Sequence, residues 1–153
     1  MSLIRNSNTG LVSLAGLGAA ILMLAAYAVA QQQDTAPSIS LEKSTYAPGE
    51  DIVVNYSGGP GNKGDWIAVY AKGVVPGTGI MTELWYYSNS MRVAGEDGTS
   101  DGTVVLDSAS DNPENDEVDW PLASGEYDVY LICCEGYDVL AGPVTLTISP
   151  AGR

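Results

Sequence analysis

Hydrophobic and polar positions fall into two regimes along this chain. From Leu11 to Ala30 the residues form an apolar run, and no charge occurs between Arg5 and Asp34. As a helix that run is long enough to cross the ~30 Å hydrocarbon core of a bilayer. Beyond Gln31 the pattern changes to short apolar or alternating segments separated by turn residues, with no amphipathic helical stretch. Strands are predicted at Ser38 to Leu41, Asp51 to Tyr56, Asp65 to Ala71, Glu83 to Ser88, Thr103 to Asp107, Tyr127 to Cys134 and Val139 to Ile148. Ala47-Pro48-Gly49 and the stretch from Ser57 to Asn62 read as turns. Within Asp65 to Ala71, alternation puts Trp66, Ala68 and Tyr70 on one face and Ile67 and Val69 on the other. Many short strands joined by Gly, Pro and Asn turns predict an all-β antiparallel sandwich of the immunoglobulin or fibronectin type. The organisation is then a short cytoplasmic N-terminus (1–10), a transmembrane helix or uncleaved signal anchor (11–30), a polar linker (31–37), the sandwich (38–149) and a tail (150–153).

The first regime predicts export, and leaves two outcomes. The length of the run favours a retained anchor, because a cleavable apolar region is usually only ~7–15 residues long. Ala28-Val29-Ala30 before Gln31 also reads as a small-x-small cleavage site, which would release the domain. Arg5 on the short side predicts a single-pass inner-membrane protein, N-in, with its sandwich periplasmic. Ala15 with Ala19, and Gly16 with Ala20, have the four-residue spacing that lets membrane helices approach closely, although such residues are also common in signal sequences.

Composition narrows the chemistry of the second regime. The protein has no histidine, so a Ser-His-Asp triad, a Cys-His pair and His-bearing zinc or haem sites are excluded. Net charge is −13, and from Val93 through Gly152 no basic residue offsets the acids. That field excludes nucleic acid as a partner and favours a basic protein surface or divalent cations. Asp111, Glu114, Asp116 and Asp119 supply hard oxygen ligands of the kind calcium uses, but not at EF-hand spacing, and an acidic Asn/Pro loop is equally read as solvated. Apart from calcium, no cofactor is expected. Cys133 and Cys134 are adjacent in a predicted strand, so alternation turns them to opposite faces and predicts two packed thiols rather than a vicinal bridge. Tyr127, just after the turn at Gly125, has the position of a tyrosine corner. The consecutive Trp85, Tyr86 and Tyr87, with Trp120 and Tyr137, are candidates for a partner-binding surface, as is Tyr130.

Ser44 to Glu50, Asp65-Trp66-Ile67-Ala68-Val69-Tyr70, Leu84-Trp85, and Gly125 to Val139 with Glu135-Gly136-Tyr137-Asp138-Val139-Leu140 together resemble an immunoglobulin-like accessory module. Such modules are appended to secreted bacterial hydrolases, and the Asp65 to Tyr70 strand is similar to one in the sandwich preceding plant-type purple acid phosphatase domains. The resemblance implies a non-catalytic module, and with no enzyme domain after it here, a partner on another chain. One span plus an extracytoplasmic sandwich is also similar to accessory subunits of bacterial respiratory and photosynthetic complexes, reaction-centre–antenna assemblies among them. The expectation is a structural subunit docked on an integral membrane complex. The alternative is a secreted carbohydrate- or surface-binding module.

Overall fold

The computed structural model describes residues 36–114 and 119–152. The predicted span, with Ala15, Gly16, Ala19 and Ala20, lies outside them, as does Asp116. Among the described residues no helix is long and apolar enough to cross a membrane.

Among the described residues eight strands form in chain order: β1 (Ser38–Leu41), β2 (Thr45–Tyr46), β3 (Ile52–Ser57), β4 (Trp66–Ala71), β5 (Leu84–Tyr87), β6 (Gly102–Leu106), β7 (Gly125–Cys133) and β8 (Asp138–Ile148), with one 3-10 turn at Ser108–Ser110. They make two sheets, ordered β1-β3-β6 and β2-β8-β7-β4-β5. Every pairing is antiparallel except β2 with β8. The described residues are therefore all-β, as their segmentation predicts. β2 has no counterpart among the predicted strands; two residues are too few to show a period, and the strand exists because Tyr46 pairs with Ile148 and buries its ring.

One core lies between the sheets. Ile52, Val54 and Tyr56 from β3 and Val104 and Leu106 from β6 meet Ile67 and Val69 from β4, Val129 and Leu131 from β7, and Leu146 and Ile148 from β8. Burying such side chains stabilises by about 1.5–3 kcal/mol each. Tyr127 packs against this core while its hydroxyl donates to the Ala123 carbonyl at 2.9 Å, tying down the turn that enters β7 as a tyrosine corner would.

The central strands β4 and β7 are apolar on both faces, and both faces are covered. Opposite the main core, Ala68, Tyr70, Tyr130 and Ile132 form a second cluster with Trp66 and Val74 packed on it. Trp66 thus belongs to the outer face of the five-stranded sheet, with Ala68 and Tyr70, while Ile67 and Val69 take the interior. Alternation gives the two faces correctly, but a strand apolar on both sides does not say which is the inner one. The segment between β4 and β5 is held over this outer face by Asp128, a buried carboxylate that accepts from Lys72 Nζ at 2.7 Å and from the Gly73 amide at 2.9 Å. The Tyr130 hydroxyl donates to the Val74 carbonyl at 3.0 Å.

Candidate functional site

Where this covering ends, the outer face opens into a groove of about 300 Å³. Its sheet side is made by Trp66 and Tyr70 of β4 and Trp85 and Tyr87 of β5; the rest is lined by Ile80, Met81, Thr82, Asn112, Glu114, Glu135 and Tyr137. Antiparallel pairing sets Trp66 opposite Tyr87 and Ala68 opposite Trp85. Ala68 itself is fully covered by the outer cluster and does not line the groove.

The rings stand edge to face. Trp66 meets Trp85 at 6.1 Å and 80°, Tyr137 meets Trp66 at 5.9 Å and 73°, and Tyr87 meets Trp85 at 5.3 Å and 88°. This is the arrangement ring quadrupoles prefer, and it makes a corner rather than a flat platform. Trp66 is fixed further by its indole N–H, which donates to the Gly136 carbonyl at 3.0 Å. Tyr137 (58% exposed), Ile80 (56%) and Met81 (45%) leave apolar surface in solvent around the opening.

The turn from Cys133 to Tyr137 supplies one wall. The structure joins Cys133 and Cys134 as a vicinal disulfide, contrary to the expected pair of thiols. The alternation argument fails because β7 ends at Cys133, and Cys134 and Glu135 turn into the left-handed region at φ 67° and 56°. The Glu135 amide donates to the Gly64 carbonyl at 2.8 Å. A Cβ on Gly64 would lie 2.7 Å from Glu135 Cγ and 3.0 Å from its amide nitrogen, so glycine is what lets the turn dock. Gly77, at φ 81°, similarly makes room for Tyr137. Among the described residues, Asp65, Cys133 and Cys134 bring three potential metal-ligating atoms together, but here the sulfurs are bonded to each other.

The opposite wall is pinned to β5. Asn112 donates to the Thr82 carbonyl and hydroxyl at 3.0 and 3.1 Å, and its amide donates to the Glu83 carbonyl, which carries Glu114 to the groove. Asp111 is engaged in the fold, one carboxylate oxygen accepting from the amides of Asp119 and Trp120 at 2.7 and 3.0 Å. Asp119 hydrogen-bonds with Glu83, whose carboxyl is pushed up to about 7, first by burial and then by that neighbour. Of the residues read as calcium ligands, Asp111 thus accepts from backbone amides, Glu114 lines the groove, Asp119 hydrogen-bonds with Glu83, and Asp116 lies outside the described residues.

Of the residues read as partner-binding, Trp85, Tyr87 and Tyr137 come together in the groove. Tyr86 does not; it points into the main core, 7% exposed, and its hydroxyl donates to Asp107 at 3.1 Å. Trp120 packs against the same core, and Tyr130 lies beneath the covering segment. The sequence reading did not select Trp66, Ile80, Met81 or Glu135 for this surface. Alternation does not say which face of the Trp66 strand is the outer one, and the others sit in loops where no period marks them.

Charge in the groove is of one sign. Glu114 and Glu135 line it, and no lysine or arginine does. The Tyr70 hydroxyl is buried without a hydrogen-bond partner among the described residues, and burial, with Tyr137 and Tyr130 nearby, pushes its phenol up to about 12. Tyr87 is raised as well, by burial and then by Glu135. Arg92 lies over the Trp85 ring at 4.4 Å from its centroid without lining the groove. In comparison with known proteins, the chain matches no family model and no curated sequence.

Proposed function

We propose that the chain is a non-catalytic, extracytoplasmic immunoglobulin-like module, anchored in the inner membrane by its Leu11 to Ala30 segment, that docks on a larger membrane protein assembly through the aromatic groove. The observation that carries this reading is the concentration of Trp66, Trp85, Tyr87 and Tyr137 at one open groove ringed by exposed Ile80 and Met81. Aromatic side chains clustered in a pocket provide most of the binding energy at protein interfaces. The sheet order β1-β3-β6 against β2-β8-β7-β4-β5, together with the Tyr127 corner, supports the immunoglobulin-like assignment. The acidic balance favours a partner with a basic extracytoplasmic face, of the kind accessory subunits of respiratory and photosynthetic complexes would meet.

The test is purification of the tagged full-length chain in mild detergent beside Trp85→Ala and Tyr137→Ala variants. A stoichiometric complex with the wild type that both substitutions deplete is the expected result. Free monomer in every case, with retention of the protein on a polysaccharide column, would replace this reading with the carbohydrate-binding one.

A further inference from the structure

We propose that the aromatic groove is a receptor for an arginine side chain presented by the partner protein; this rests on the docking reading above and names the group the groove recognises. A sugar stacks on flat, coplanar aromatic surface, whereas the rings here meet at 73–88° and turn their edges and faces around a corner. Such a corner suits a compact cation, which gains from each ring face it approaches. Size agrees, since about 300 Å³ is at the low end of the ~300–1,000 Å³ of small-ligand sites and fits one side chain better than an oligosaccharide.

Hydrogen-bonding chemistry points the same way. The carboxylates of Glu114 and Glu135 are acceptors only, and the buried Tyr70 hydroxyl has an oxygen that no described residue engages. The amide donor at the groove, Asn112, is already committed to Thr82. A guanidinium brings five N–H donors in a planar fork, stacks on aromatic faces and sheds water more readily than an ammonium. Arg92 over Trp85 shows the pairing within this chain, on one of the same rings.

The test uses the full-length chain in detergent at about 0.15 M salt, where diffuse attraction of cations to the acidic protein is screened. Acetyl-Gly-Arg-Gly-amide is titrated against tryptophan fluorescence beside the same peptide carrying citrulline, the uncharged isostere. The arginine peptide should saturate, with the citrulline peptide about tenfold weaker, equivalent to about 1.4 kcal/mol. Tyr137→Leu keeps an apolar side chain and all the charge but removes a ring, and should weaken arginine binding about threefold or more. Glu135→Gln should do the same, and both variants should keep the wild-type circular dichroism. Equal affinity for the two peptides, indifference to Tyr137→Leu, or saturation by a cello-oligosaccharide would overturn the assignment. If groove-dependent co-purification persists without arginine discrimination, only this inference falls. If co-purification is also insensitive to the groove, the docking reading falls with it.

Discussion

The carboxyl of Glu83 hydrogen-bonds with Asp119 and titrates near 7, against an ordinary 4.5, so the folded state holds that proton more tightly than the unfolded chain does. Its contribution to stability is full below about 4.5 and is lost as pH rises through about 7. Thermal midpoints should therefore decline across that window. Glu83→Gln, which can still donate to Asp119 but cannot ionise, should flatten the decline; an unaltered pH slope in the variant would place the titration elsewhere. A second contrast follows from the two faces of β4. Ile67→Ala opens a cavity in the main core and should cost about 2–5 kcal/mol, read from denaturant midpoints. Trp66→Ala removes a half-buried ring from the outer face and should act first on the groove, lowering partner binding more than Ile67→Ala does. The reverse order would return Trp66 to the interior.

Among the elements, the segment between β4 and β5 is where fold and site meet. It carries Ile80 and Met81 to the groove, and Asp128 secures its start. Asp128→Ala would take the acceptor from the exposed Gly73 amide, the loss of an ordinary hydrogen bond of about 0.5–1.5 kcal/mol. Faster amide hydrogen exchange at Gly73, together with weaker groove binding, is the expected readout; unchanged exchange would show that the segment is held by other contacts. The strands around it were readable in advance because each is a short apolar or alternating run closed by Gly, Pro or Asn. Less could be read where a residue's role depends on partners distant in sequence. β2 forms only through its pairing with β8, and Cys134 left its strand because the chain turns one residue earlier than the apolar run suggests. The groove was half legible: Trp85, Tyr87 and Tyr137 announced themselves as surface aromatics. Nothing local shows that Trp66 joins them on the outer face or that Glu135 swings onto the same side.

At the scale of the whole molecule, acidic charge is spread over the C-terminal half, whereas exposed aromatic surface is concentrated at one groove. On the proposed reading, the charge steers association and the rings retain what arrives. Both functions meet at the turn from Cys133 to Tyr137, which sets Glu135 and Tyr137 into the groove wall. Cys134 and Glu135 are held there with positive φ, a conformation that costs L-residues about 1–2 kcal/mol each. The bond between the two adjacent sulfurs lies directly beside that cost. On the proposed docking reading, the sandwich forms without this bond and the groove wall is completed once the two thiols are oxidised. Reduction of the purified protein should weaken arginine-peptide binding and leave the far-ultraviolet circular dichroism in place. Equal affinity before and after reduction would mean that the wall stands without its clasp.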